Sequence, residues 1–439
     1  MPPPRCRARA VVPGSDRLTA ADRHGSGPIR RPSGPPVKLG YLVSQYPALS
    51  HTFVLREVLT LRRHGADVRV VSVRECDRPM AALSAEEAEE AKRTFCVIGA
   101  GFVHAVLTNI RVLCWHPVGY LRGLLYAWRL SRGTPKLLVM YSLYFLEAIV
   151  AGHHFERQGV RDIHTHFSST VLLILARIFR VRYSLTAHGS GEFVDVVGFH
   201  LAEKVAGAVF IATVGQYGMS QVMNASDPAH WHKIVVLPLG VDVEAFRPSR
   251  ARQRSLNEPF TLLSVGRLSA PKGYPILIEA VVLLRARGRN VRLTLVGEGP
   301  ERVRLEKLIA LRDVGDCVRL AGACNHDRLP DYYESSDAFV LSSFLEGVPV
   351  VLMEAMAMEL PCVATWMTGI PEIIEKDVEG LLVPPASASA IADAVERLIG
   401  DPEGARRLGT AARRKVLVRY HLERNVERLA EEFRRRLAT

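Results

Sequence analysis

This sequence predicts an α/β molecule built from two parallel-sheet domains, each doubly wound, that face each other across a cleft. Three observations lead there. A β-loop-α-β order occurs twice, over residues 38–73 and again over 260–296. Each unit opens an alternation of strands and helices, the pattern of a parallel sheet covered on both faces, with ligands beyond the carboxyl ends of its strands. The 439 residues exceed what one core usually sustains, and with 48% of them hydrophobic the chain can fill two.

In the first unit an apolar strand at 38–43 leads through a loop to a helix at 51–64, closed by Gly65, and then to a strand at 67–73. Ser50 and Thr52 are residue types that cap a helix N-terminus. The second unit repeats the order with a strand at 260–265, a helix at 275–287 closed by Gly288, and a strand at 291–296. Between them, 237–257 mixes Pro, Gly and charge and reads as the link. The expected organisation is a basic, disordered extension at 1–36, a first domain at 37–240, a second at 241–417, and a C-terminal helix within 418–439. Residues 1–36 are rich in Arg, Pro and Gly, without hydrophobic periodicity or the apolar core of a secretory signal.

The seven cysteines are scattered and show no C-x-x-C spacing, so the reading expects a reducing cytosol and neither disulfides nor zinc. Net charge is +12, but it is diffuse, and nucleic-acid binding is not expected. No uncharged apolar run is read as long enough to span a bilayer. One stretch, 109–136, combines Trp115, Tyr120, Tyr126 and Trp128 with Arg111, Arg122, Arg129, Arg132 and Lys136. It fits either packed helices or peripheral contact with a membrane surface.

The chemistry-bearing segment is "EGVPVVLMEAMA", in which Glu346 and Glu354 stand eight apart. Residues 338–342 read as a buried strand, Glu346, Gly347 and Val348 as its loop, and Pro349 as the first helical residue. Free amides near Val350 then face an anion, and the two carboxylates suit hydroxyl-rich groups on either side of a diphosphate. A Glu near a helix start also simply complements the helix dipole. Glu354 argues for more, because it interrupts an otherwise apolar helix and a buried carboxylate needs a partner.

With "TGIPEII" at 368–374 and "GLLVPP" at 380–385, this segment resembles retaining glycosyltransferase family 4, of the GT-B fold, over about residue 37 to the C-terminus. The resemblance implies that Glu354 binds the donor ribose and Glu346 the hydroxyls of the transferred sugar. In "VGRLSAPKG", Arg267 and Lys272 match the family's diphosphate binders, although loop cations are commonly just solvated. Gly297 and Gly299 follow a strand near the donor, and Arg302 in place of a third Gly weakens any dinucleotide, hydride-transfer reading. Gly322 and Ala323 resemble the segment that meets the base. His188, in "SLTAHGSGEF", matches a Thr-x-His motif that contacts the sugar or phosphate; a structural histidine is the competing reading.

The loop "SQYPALSHTFVLRE" resembles that of exopolysaccharide and colanic-acid-type members, but His51 stands where those relatives commonly carry Glu. Ser50, His51, Thr52 and His166 are therefore the acceptor-side candidates. No D-x-D occurs, so metal independence and no cofactor are expected, with Arg267, Lys272 and the helix N-terminus in an ion's place. The function these readings imply is metal-independent hexosyl transfer, with retention, from a UDP- or GDP-sugar to a saccharide or lipid-linked saccharide. It would occur in the cytoplasm, peripherally at the inner face of the membrane. The alternative is a non-catalytic nucleotide-sugar-binding subunit of a polysaccharide assembly complex.

Overall fold

The computed structural model describes residues 37–167, 169–249 and 258–437. The extension at 1–36 and the end of the link at 250–257 lie outside the described residues. The first half runs β1 (Lys38–Gln45), α1 (Thr52–Arg63), β2 (Asp67–Arg74), α2 (Ala85–Arg93), β3 (Phe95–Cys96), α3 (Phe102–Trp115), α4 (Pro117–Leu130), α5 (Pro135–Arg157), β4 (Asp162–His166), α6 (Ser169–Ile178), β5 (Arg182–Ala187), α7 (Ser190–Val194), α8 (Leu201–Gly207), β6 (Ile211–Thr213), α9 (Gln216–Asn224) and β7 (Ile234–Val236). The second runs β8 (Phe260–Val265), α10 (Tyr274–Ala286), β9 (Val291–Val296), α11 (Arg302–Leu311), β10 (Val318–Gly322), α12 (Leu329–Glu334), β11 (Ala338–Leu341), α13 (Val350–Ala357), β12 (Cys362–Thr365), α14 (Ile370–Ile373), β13 (Leu381–Val383), α15 (Ala388–Gly400), α16 (Pro402–Arg419) and α17 (Leu422–Leu437).

The strands form two sheets, ordered β3-β2-β1-β4-β5-β6-β7 and β10-β9-β8-β11-β12-β13. Every pairing within them is parallel. In each sheet the order reverses beside the first strand, between β1 and β4 and between β8 and β11. Such a reversal leaves a crevice beyond the strand ends, where ligands bind in folds of this class. It places the loops after β8 and β11 side by side, and those loops carry Arg267, Lys272 and Glu346.

Two helix starts differ from expectation. Helix α1 begins at Thr52, behind a short 3-10 turn, with His51 as its N-cap and no side-chain capping bond, so Thr52 is not a cap; the Ser50 side chain lies outside what is described. Pro349 is the N-cap of α13 rather than its first helical residue, because its ψ of 112° keeps it extended. A third difference concerns length. Helix α5 has 23 residues and is apolar enough by composition to cross a membrane. Its later turns are committed elsewhere, since Phe145, Ala148, Ile149 and Phe155 lie buried in the first half's core.

Helix α17 crosses back to the first half. Leu422, Val426, Leu429, Ala430, Phe433 and Leu437 share a core cluster with Tyr41, Val54 and Val58. The crossing is held where the Val241 amide donates to the Tyr420 carbonyl (2.8 Å) and the Leu422 amide to the Val241 carbonyl (3.0 Å).

Candidate functional site

The loops of the second half's crevice are fastened to each other. Gly273 is at φ +64°, and a Cβ there would lie 2.2 Å from the Ser342 carbonyl oxygen, so only glycine allows the two loops this approach. Ser342 Oγ donates to the Lys272 carbonyl (3.0 Å), and the Phe344 amide to that of Pro271 (2.7 Å). These bonds bring Lys272 Nζ to 2.6 Å from Glu346 Oε1, which also accepts from Ser343 Oγ at 2.6 Å. Glu346 is 9% exposed. Its backbone amide donates to Thr368 Oγ1 (3.1 Å), so the "TGIPEII" segment supports the same loop. Arg267 lies in the adjoining loop and is exposed, without an ion-pair partner among the described residues.

Gly297, Gly299 and Gly322 shape that adjoining loop. A Cβ on Gly297 would meet the Gly266 carbonyl oxygen at 2.0 Å, and one on Gly299 the Leu268 carbonyl oxygen at 2.3 Å. The Leu268 amide donates to the Glu298 carbonyl (2.9 Å), and the Gly297 amide to that of Gly322 (2.8 Å). The close approach these glycines permit is therefore between protein loops. Ala323 follows Gly322 and is exposed.

Glu354, on α13, is 2% exposed. Both of its oxygens have partners within the second half: Oε1 pairs with His326 Nε2 at 2.9 Å, and Oε2 accepts from Tyr333 OH at 2.8 Å. Burial, and next the Glu354 charge, push the Tyr333 hydroxyl well up, which keeps it a donor. The buried carboxylate is thus satisfied by side chains that spacing did not reveal, and its burial alone no longer requires a ligand. Gly347 and the buried Val348 lead into α13, whose N-terminus at Val350 carries no side-chain cap.

The first half meets this loop directly. A Cβ on Gly347 would lie 2.0 Å from the His188 carbonyl oxygen, so the strand-end loop holding His188 rests on the loop holding Glu346. Two further contacts flank it. Glu372 accepts from the Gln216 and Tyr217 amides (2.6 Å each), so a carboxylate of the second half caps α9 of the first. Arg78 Nη1 donates to Asn325 Oδ1 at 2.5 Å.

Behind His188 lies a bonded series that the sequence did not disclose. Glu57 Oε1 accepts from Tyr41 OH (2.6 Å) and bonds His166 Nε2 (3.0 Å), while His166 Nδ1 bonds His188 Nε2 (2.7 Å). In the tautomer of His166 that donates from Nε2 to the Glu57 carboxylate, its Nδ1 is an acceptor. His188 then donates through Nε2, which leaves its Nδ1 as a bare lone pair. Burial, and then the neighbouring His166, hold the His188 pKa well below the usual range, so this ring is neutral. His51, stacked on Phe167 with centroids 4.4 Å apart, is likewise held down to about 4, first by burial and then by His166. Where the resembled loop carries a negative charge, this chain presents a neutral ring.

Glu57, His164 and His166 also bring one ligand atom each within 4.8 Å of one another. Both nitrogens of His164 are bonded to the Ser184 and Thr186 hydroxyls (2.8 and 2.9 Å), and both of His166 to Glu57 and His188. A metal would have to displace those bonds.

Residues 246–415, which carry all of the second half's site, match the family profile described as glycosyl transferases group 1. The second half of this chain is a glycosyl transferases group 1 domain. Among curated relatives, the chain is 36% identical over 193 residues to the alpha-D-kanosaminyltransferase of Streptomyces kanamyceticus, covering 44% of this chain and 50% of that protein. It is 28% identical over 420 residues to the amylovoran biosynthesis glycosyltransferase AmsK of Erwinia amylovora, covering 90% and 98%. The match thus spans half of the first relative and nearly all of the second. Among solved structures, Anabaena HepE in complex with UDP-glucose superposes with a TM-score of 0.67 at 17% identity, covering 90% of this chain and 99% of that one. The two facing parallel-sheet halves are the GT-B architecture, and the group 1 domain is its second half.

Proposed function

We propose that this protein is a retaining, metal-independent hexosyltransferase that moves a sugar from a UDP- or GDP-sugar to a saccharide or lipid-linked saccharide, in the synthesis of a surface polysaccharide or glycoconjugate. The observation that carries this reading is the meeting, at one point between the halves, of Lys272 paired with Glu346 and of the His188 loop seated on Gly347. AmsK supports the polysaccharide setting, and HepE, which binds UDP-glucose, the donor class.

In this account the donor diphosphate lies between Arg267, Lys272 and the N-terminus of α13. Those cations offset the negative charge that grows as the glycosidic bond breaks. Glu346 orients sugar hydroxyls while holding the Lys272 ammonium in place. The lone pair on His188 Nδ1 accepts from a sugar hydroxyl. His326 and Glu354 face the ribose side, with the free lone pairs of the carboxylate available to its hydroxyls. Attack from the face that the diphosphate leaves gives retention, and the departing phosphate oxygen takes the proton of the acceptor hydroxyl. No bound cofactor is needed, since the nucleotide-sugar is a substrate.

The test is release of nucleotide from a panel of UDP-, GDP- and ADP-sugars, with EDTA present and with Glu354→Ala beside the native chain. Hydrolysis of one donor, lost in the variant, is expected. Donor binding measured by calorimetry, with no turnover after saccharide and lipid-linked acceptors are added, would instead favour the non-catalytic binding subunit.

A further inference from the structure

We propose that the outer face formed by α3, α4 and the first turns of α5 is a docking surface for an anionic lipid bilayer. These helices are amphipathic in the inverted sense. On α3, Phe102, Val106, Ile110 and Leu113 fall on one stripe and are exposed, Phe102 at 83%, whereas the buried residues are Thr108 and Val112 on the other side. On α4, Val118, Leu121, Leu125 and Trp128 form the outward stripe. The inward side of α4 is its glycine side: a Cβ on Gly119 would lie 2.4 Å from the Ile178 carbonyl oxygen, and one on Gly123 2.3 Å from the Ile178 side chain. That close seat on α6 turns the large apolar residues outward. Val139, Leu143 and Leu146 continue the surface on α5.

Contiguous apolar surface of this extent marks a place of interaction, and charge says with what. Residues 101–146 contain five Lys or Arg and no Asp or Glu. Arg111, Arg122, Arg129, Arg132 and Lys136 are exposed, and none of the five has an ion-pair partner among the described residues. A second copy of this chain would bring the same cations against themselves. A bilayer with anionic headgroups offers the complement, with a hydrocarbon edge for the apolar stripes and phosphates for the cations. At one edge a pocket of about 350 Å³, lined by Arg111, Trp115, His116, His153, Glu156 and Arg157, is suited to a headgroup. The surface lies on the membrane and does not cross it, because the later turns of α5 are built into the core. Of the four aromatic residues at 109–136, Trp115 and Trp128 face outward, as Phe102 does; Tyr120 packs edge-on against Phe145, and Tyr126 lies under Arg177.

The inference stands apart from the transferase reading, and its test involves no sugar chemistry. Full-length protein is sedimented with vesicles of phosphatidylcholine, alone or with phosphatidylglycerol mixed in. The expected result is binding at least ~tenfold tighter to the anionic vesicles. Combining Leu107→Glu, Leu121→Glu and Leu125→Glu is expected to weaken it at least ~tenfold with an unchanged thermal melt, since all three residues are exposed. A second variant, Arg122→Gln with Arg129→Gln and Arg132→Gln, keeps the apolar face and is expected to lose the preference for anionic lipid. Absence of native binding to anionic vesicles overturns the proposal. So does undiminished binding by the leucine variant, which would place the contact elsewhere, as in the basic segment at 1–36. A lipid-free dimer that the leucine variant turns into a monomer would overturn it too, in favour of an interface between copies.

Discussion

His51 stacks on Phe167, and the pKa of about 4 that follows from its burial ties local structure to stability. An unfolded chain takes up a proton near pH 6.5 that the folded site refuses until about 4. The stabilisation is therefore complete above the unfolded value and is lost as pH falls through that window, by at most ~3 kcal/mol. The melting temperature of His51→Phe, which keeps the stack, is expected to fall less than the native one between about pH 7 and pH 4.5; parallel curves would refute the assignment. Glu57 supports a second prediction. With Glu57→Ala the His166 proton is no longer fixed on Nε2, so the His188 Nδ1 lone pair is no longer guaranteed. Turnover is expected to fall at least ~tenfold, and the His188 ¹⁵N resonances to shift from a single Nε2–H form to a mixture. An unchanged spectrum would remove the relay from the account. Little of this was legible at the level of residues. Glu346, Glu354, Lys272 and His188 announce themselves by motif and by loop position, but Glu57, His326 and Tyr333 reach the site from helices and turns distant in sequence, and no local spacing records that. Glu354 shows the consequence: the sequence argues from burial to a ligand, whereas the fold supplies His326 and Tyr333 as partners.

Elements were read more reliably, because strands and helices follow periodicity and their punctuation. The strands at Phe260–Val265 and Val291–Val296 fall where the apolar runs do, and Gly65 and Gly288 close their helices at φ +84° and +76°. Helix starts were read less well, since Thr52 and Pro349 each suit two adjacent positions and tertiary contacts choose between them. The loop at Gly347 carries a prediction at this scale. Gly347→Ala would drive a methyl group into the His188 carbonyl oxygen, now 2.0 Å from the ideal Cβ position. The variant is expected to lose about 1–3 kcal/mol of stability, as overpacked sites do, together with donor hydrolysis. Native stability and activity would mean that the halves do not meet there during the reaction.

At the scale of the whole molecule the duplicated α/β order made two parallel-sheet halves foreseeable, while their contact was not, because nothing in a linear pattern tells which carboxylate will cap a helix of the other half. Glu372 does so for α9, and α17 fastens the chain's end to the first half. Removing residues 422–437 would uncover the partners of the buried Leu422, Val426, Leu429 and Phe433. At about 1.5–3 kcal/mol each that is roughly 6–12 kcal/mol, comparable with the stability of a domain. The truncated chain is expected to lose cooperative unfolding, and a melt within about two degrees of native would contradict that packing role. The central claim is that Lys272, held by Glu346 between the halves, stabilises a departing nucleoside diphosphate. Its most direct test is the turnover of Lys272→Ala on the donor that the native protein cleaves, with donor affinity measured alongside. The account predicts a fall in turnover of more than about a hundredfold, the ~2.7–4 kcal/mol of a group that meets developing charge, with a much smaller loss of binding. Turnover near native would contradict it.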